Sequence, residues 1–181
     1  MKCDVLIVPG LWNSGPRHWQ SLWHERYPQW LRAQHRDWTN PDKDEWVAEL
    51  DAAVAACKGA PILVAHSLGC ILVAHWARCG SPLKVAGAFL AAPSDVEASS
   101  YPVDPNGFAP IPMEALPFPS IVLASSDDPY ATPERSRALA GAWGSRFVDI
   151  GKAGHLNTES GHGAWLEGER LLNAFCDQVS R

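Results

Sequence analysis

The sequence lacks the features of proteins that bind nucleic acid or cross a membrane. Its 181 residues carry a formal net charge of -5, and lysine and arginine form no cluster that could neutralise phosphates. The first apolar run, Val5 to Val8, is too short for the core of a signal peptide, and no stretch is long enough to span a bilayer. We therefore expect a cytoplasmic protein with no nucleic-acid partner and no membrane association.

Metal binding and cysteine pairing are not indicated either. The five cysteines, at positions 3, 57, 70, 79 and 176, contain no Cys-x-x-Cys pair and no zinc-ligand spacing. We expect them to be small buried side chains that remain thiols in a reducing compartment. We predict no metal and no organic cofactor.

Buried strands and helices alternate along the chain. Nearly continuous apolar runs, typical of strands covered on both faces, occur at 4–10, 61–67, 85–93, 119–126 and 145–151, with a weaker one at 30–37. Helical patterns occur at 17–27, 40–59, 68–80, 132–144 and 163–179. With 46% hydrophobic residues, this order predicts one domain over residues 1–181, of the α/β class, with a mostly parallel sheet.

Capping residues and one irregular segment refine this prediction. We expect Asn40 and Thr132 to be helix N-caps, each followed by proline, with Gly59 and Gly144 as the matching ends. We expect Trp165, Leu166, Leu172 and Phe175 to share the buried face of the last helix. Residues 94–119 are rich in proline and have no helical or strand period, so a lid over a binding site and a plain surface crossover are equally good interpretations.

Ser67 lies where a predicted strand turns directly into a helix, in "ILVAHSLGCILVAHWARCG". A nucleophile elbow needs such a turn, with small residues two before and two after the serine. Ala65 and Gly69 occupy those positions, with alanine in place of the usual first glycine. In such a site the N–H of Leu68 would be one oxyanion donor, and the loop after the first strand would supply the other, from Leu11 or, less well, Trp12.

A serine nucleophile needs a base and an acid, which this fold class places after later strands in the order serine, acid, histidine. Asp127 and Asp128 follow the strand at 119–126, and His155 follows the strand at 145–151. Taken singly, the aspartates could be turn residues before proline, and His155 could be an ordinary loop histidine. Three matches in the right order indicate a Ser-His-Asp triad, and only one of the two adjacent aspartates can reach the histidine.

Several stretches together resemble the retinoblastoma-binding protein 9 / YdeN family of small hydrolases. They include "PGLWNSGPRHWQSLW", "LVAHSLGCILVAHWA", "AAPSDVE", "LPFPSIVLASSDDPY" and "GHLNTESGHGAW". The resemblance implies a minimal three-layer α/β-hydrolase fold, with helices on both faces of the sheet and no helical cap domain. It also implies Ser67 as nucleophile, His155 as base and the aspartate directly before Pro129, Asp128, as the acid.

Aromatic residues and histidines lead to further predictions. Trp19 and Trp23 lie one helical turn apart, which favours core packing over an aromatic surface for a partner. We expect Trp12 to lie near the acyl pocket. We expect His66 and His75 to be structural, and His18 and His24 to be solvated.

These observations predict a serine hydrolase that needs no cofactor. We expect a carboxylesterase that acts on small or short-chain acyl esters through an acyl-enzyme, with a small-molecule acyl substrate as its partner. An interaction protein that kept the fold, and an acyltransferase with the same triad, remain alternatives.

Overall fold

A parallel sheet forms the centre of the protein. The computed structural model describes residues 3–81 and 83–179. In these ranges six strands pair in the order β2-β1-β3-β4-β5-β6, and every pair is parallel. The strands are β1 (Val5–Val8), β2 (Leu31–Arg32), β3 (Ile62–His66), β4 (Gly87–Ala91), β5 (Ser120–Ala124) and β6 (Arg146–Asp149).

Helices cover both faces of this sheet. They are α1 (Trp19–Arg26), α2 (Lys43–Ala55), α3 (Leu68–Arg78), α4 (Pro133–Trp143) and α5 (Leu166–Val179). Alternate strand residues enter opposite cores: Leu63 packs in a cluster with side chains of α2, α3 and α4, whereas Val64 packs with those of α1 and α5. The predicted three-layer α/β-hydrolase fold is confirmed.

The tryptophans of α1 belong to the second of these cores. Trp19 and Trp23 are fully buried, and their indole N–H groups donate to the carbonyl oxygens of Leu156 and Ala164. Core packing, rather than a partner surface, is therefore the correct interpretation. These bonds also attach α1 to the segment that follows β6.

The structure corrects three local predictions. The N-cap of α2 is Asp42, not Asn40, because the Asp42 carboxylate accepts the N–H groups of Asp44 and Glu45. This helix ends at Ala55, before Gly59. On the last helix Leu166 is exposed. By contrast, Thr132 caps α4 as predicted, and Gly144 ends it in the left-handed conformation.

Residues 94–119 form an anchored crossover between β4 and β5. Phe108 and Ile111 are buried in the core. The His75 ring donates to the carbonyl oxygen of Phe108, and the Trp143 indole donates to that of Pro112. These contacts attach the segment to α3 and α4, which supports the interpretation as a crossover rather than a lid.

The cysteines differ from expectation. Cys3 and Cys176 are joined as a disulfide that links the start of the chain to α5, with their Cα atoms 6.1 Å apart. Cys57 is half-buried and Cys79 is exposed, so among the free cysteines only Cys70 is the buried thiol that we expected.

Along residues 3–81 and 83–179, no helix combines the length and apolar character needed to cross a membrane.

Candidate active site

Ser67 occupies a strained turn between β3 and α3. Its backbone angles, φ 57° and ψ -126°, lie in a region that residues other than glycine rarely adopt. Close packing maintains this turn: a Cβ on Gly69 would lie 2.5 Å from the carbonyl oxygen of Val8, and one on Gly10 would lie 2.9 Å from the amide nitrogen of Leu68. The turn has the strand–serine–helix geometry that the sequence predicts.

The structure brings Ser67, His155 and Asp128 together from three separate strand ends. The Oγ of Ser67 lies 2.9 Å from Nε2 of His155, and both Asp128 carboxylate oxygens lie 2.9 Å from Nδ1. The side chains of His155 and Asp128 are only 7% and 3% exposed. A carboxylate can only accept, so it fixes the proton on Nδ1 and leaves Nε2 as an acceptor for the serine hydroxyl.

Asp127 points away from the imidazole and instead stabilises the loop that carries it. Its Oδ1 accepts hydrogen bonds from the Ser125 hydroxyl and from the Gly154 N–H, at 2.7 and 2.8 Å. The hydrogen bond from Ser125 and that from Gly154 lower the pKa of Asp127. The two adjacent aspartates therefore have different surroundings, and Asp128 is the one that contacts His155.

The loop after β1, residues 9–15, lies against the amino-terminal end of α3. Its Trp12 N–H donates to the carbonyl oxygen of Trp38, 2.9 Å away, and is therefore occupied. The Trp12 N–H, the weaker of the two candidates for the second oxyanion donor, is therefore not available to a substrate. Leu11 lies next to Gly10, which packs on Leu68, the first residue of α3, where helix N–H groups lack intrahelical acceptors.

Two side chains that were not among the predicted site residues hold this β1 loop in place. The buried Gln20 side chain accepts the Ser14 hydroxyl and donates to the carbonyl oxygens of Val8 and Val64. The Arg32 guanidinium donates to the side chain of Asn13 and to the carbonyl oxygen of Ser14. Both residues lie in helix and strand segments whose periodicity indicates packing only, so no sequence signal identifies them.

A cavity of about 310 Å³ opens beside Ser67. Trp12 lies in its wall, as we expected, with 55% of the residue exposed. Tyr101 and Pro102 are the members of the 94–119 crossover that line it. The remaining wall residues come from the β1 loop, the residues just before α1, the end of β3, and the segments that follow β5 and β6: Leu11, Asn13, Gly15, Pro16, Arg17, His18, His66, Tyr130, His155, Asn157, Thr158 and Glu159.

Histidines close to Ser67 correct one prediction and agree with another. His18 is buried rather than solvated, and burial, reinforced by the nearby positive charge of Arg32, lowers its pKa to about 3. Its Nδ1 accepts the N–H of Gln20, so the neutral ring carries its proton on Nε2. His66 is structural, since its Nε2 donates to the carbonyl oxygen of His155.

Ser94 is another missed residue, and it contacts Ser67 directly. The two hydroxyl oxygens are 2.7 Å apart, and Ser94 is fully buried. The sequence offers a weak signal for it, because Ser94 follows a predicted strand at the same edge of the sheet as Ser67.

In the described part of the chain, no three His, Cys, Asp or Glu side chains are grouped as metal ligands.

Comparison with known proteins identifies the family of this chain. A model of the serine hydrolase family matches residues 5–174. A structure described as a YdeN-like hydrolase from Pectobacterium atrosepticum is 34% identical with a TM-score of 0.86, over 97% of this chain and 91% of that one. No protein with a curated description matches the sequence.

More distant structures share the fold. The ydeN gene product of B. subtilis is 20% identical with a TM-score of 0.75, over 97% of this chain and all of that one. A thermophilic esterase from Thermogutta terrifontis is 18% identical with a TM-score of 0.68, over 99% of this chain and 91% of that one. The match along residues 5–174 and the 34% identity to the Pectobacterium protein show that this chain belongs to the serine hydrolase family and is YdeN-like.

Proposed function

We propose that this protein is a carboxylesterase that hydrolyses small acyl esters through a covalent intermediate on Ser67. In this proposal His155 is the general base and Asp128 orients it. The observation that carries the proposal is the continuous hydrogen-bonded series from Asp128 through His155 to Ser67, at the wall of a cavity.

The proposed reaction has two halves. In acylation the Ser67 oxygen attacks the ester carbonyl while Nε2 of His155 takes its proton, which then passes to the departing alcohol. In deacylation His155 takes a proton from water, the resulting hydroxide attacks the acyl group, and the same proton returns to Ser67 as the acid leaves. Asp128 stabilises the imidazolium that forms in each half and keeps Nε2 directed at Ser67.

Two backbone N–H groups are the proposed oxyanion donors. Leu68 follows the nucleophile at the start of α3, and Leu11 lies in the β1 loop packed against it. The occupied amide of Trp12 supports Leu11 as the second donor. Since both donors belong to the backbone and the loop is fixed by Arg32 and Gln20, they are oriented before the substrate arrives.

The substrate is proposed to carry a short acyl group. The cavity is small, and the crossover at 94–119 is attached to α3 and α4 instead of forming an apolar cover. Trp12, the largest exposed side chain in the wall, would contact the acyl or alcohol portion. The similar fold of the Thermogutta terrifontis esterase adds support for ester chemistry.

Active-site labelling tests the proposed nucleophile. A fluorophosphonate probe, which reacts with activated serines, should label the wild-type protein, and Ser67→Ala should lose both labelling and p-nitrophenyl acetate hydrolysis. Ser126→Ala, at an exposed serine, is the matched control and should react like the wild type. Equal labelling of the wild type and Ser67→Ala would refute the assignment.

A chain-length series tests the substrate class. For p-nitrophenyl esters from acetate to laurate, kcat/KM should be highest at two to four carbons, on the order of ten times the value for the longest chains. A maximum at long chains, with activation at an oil–water interface, would contradict the proposal.

A further inference from the structure

The Ser94 hydroxyl is buried next to the Ser67 hydroxyl. Ser94 follows β4, and the N–H of Ser67 donates to the carbonyl oxygen of Ala91 at the end of that strand, 3.1 Å away. The two serine oxygens are 2.7 Å apart, and Ser94 has no exposed surface. The oxygen of Ser67 therefore has two fixed partners, His155 and Ser94.

The direction of the bond between the two serines follows from the proton positions around it. Asp128 accepts from Nδ1 of His155, so Nε2 is an acceptor and the Ser67 hydroxyl must donate its only proton to it. Ser67 can then only accept from Ser94. The Ser94 hydroxyl is thus a donor aimed at the atom that forms and breaks the acyl bond.

We propose that Ser94 is a further catalytic residue, whose hydroxyl donates to the Ser67 oxygen and accelerates hydrolysis of the acyl-enzyme. The inference rests on the proposed esterase function and assigns a step of that reaction to a residue outside the triad. Its effect should differ between the two halves of the reaction. The free Ser67 hydroxyl is already a good acceptor for Ser94, so the bond strengthens little during acylation.

Deacylation changes the bond between the serines more. In the acyl-enzyme the Ser67 oxygen belongs to an ester and is a weak acceptor. When the tetrahedral intermediate collapses, the bond between the acyl carbon and this oxygen breaks, its electron pair moves to the oxygen, and His155 supplies the proton. The Ser94 proton is not transferred; its hydrogen bond strengthens as negative charge develops on the leaving oxygen, which lowers the barrier.

Pre-steady-state kinetics with p-nitrophenyl acetate measures the two halves separately. The burst of p-nitrophenol reports acylation, and the later steady rate reports deacylation. Ser94→Ala should lower the deacylation rate constant at least about tenfold and change acylation by less than about threefold. Ser94→Cys keeps a weaker donor of similar shape and should give an intermediate deacylation rate, which also provides a test if the alanine variant folds poorly.

The matched control is Ser120→Ala. The buried Ser120 and the half-buried Ser145 form another serine pair, with oxygens 2.6 Å apart, at the opposite end of the sheet from the candidate site. Loss of the Ser120 hydroxyl should lower the free energy of unfolding about as much as loss of the Ser94 hydroxyl does, and it should leave both rate constants unchanged. Deacylation at the wild-type rate in Ser94→Ala, or an equal decrease in the acylation and deacylation rate constants, would overturn the role of Ser94. Absence of both a burst and probe labelling in the wild type would instead overturn the esterase proposal itself.

Discussion

Replacing the two adjacent aspartates one at a time tests the acid of the proposed triad. Asp128→Asn removes the charge beside an imidazole held at 2.9 Å from both carboxylate oxygens, in a site where the aspartate side chain is 3% exposed. The amide can also present N–H groups to Nδ1, which favours the wrong tautomer. The equivalent change in a serine protease lowers kcat by about 10⁴.

Asp127→Asn should behave differently because its contacts need only an acceptor oxygen. An asparagine Oδ1 can still accept from the Ser125 hydroxyl and the Gly154 N–H, and residue 127 is exposed. We expect a loss of less than about tenfold in kcat/KM for Asp127→Asn and of at least about a hundredfold for Asp128→Asn. The gap corresponds to more than about 1.4 kcal/mol in the activation barrier.

The assay is steady-state hydrolysis of p-nitrophenyl acetate by both variants at equal concentration. Far-UV circular dichroism should give the wild-type spectrum for each, so that activity differences report the site and not unfolding. If folded Asp127→Asn is the less active variant, the reasoning is refuted and Asp127 becomes the acid.

Three further perturbations test the packing and charges around the site. Gly69→Ala places a methyl 2.5 Å from a β1 carbonyl oxygen and should cost about 1–3 kcal/mol of stability, seen as a lower Tm, whereas Gly141→Ala, whose Cβ meets nothing within 4 Å, should not lower it. Arg32→Met removes the bond to Asn13 and loosens the β1 loop, so kcat should fall about tenfold with KM little changed; a change in KM alone would refute this role. The pKa of His18 falls from 6.5 to about 3 on folding, so near pH 5 the unfolded chain binds a proton at this residue and the folded chain does not. His18 by itself should therefore lower the free energy of unfolding by about 2 kcal/mol between pH 7 and pH 5. In urea titrations His18→Gln should show a smaller decrease over that interval, and an identical decrease would contradict the assignment.

Local patterns in the sequence were sufficient to predict the fold and the main candidate residues. Apolar runs alternating with helical periods determine which segments are strands, and parallel strands direct their carboxyl ends to one edge of the sheet. That geometry alone predicts that Ser67, His155 and one of two aspartates meet. The choice of Asp128 came from a family resemblance, and the structure agrees with it in the contacts of both carboxylates.

Other features depend on contacts between segments that are distant in sequence. The occupation of the Trp12 amide by Trp38, the burial of His18 and the contact of Ser94 with Ser67 all depend on where loops from different strands come to lie. The N-cap of α2 also involves a contact with a distant segment, because the Asp42 carboxylate accepts a hydrogen bond from the side chain of Asn106 in the crossover. Sequence periodicity describes one segment at a time, whereas a hydrogen bond requires a direction and a distance between two, and only the tertiary structure supplies both.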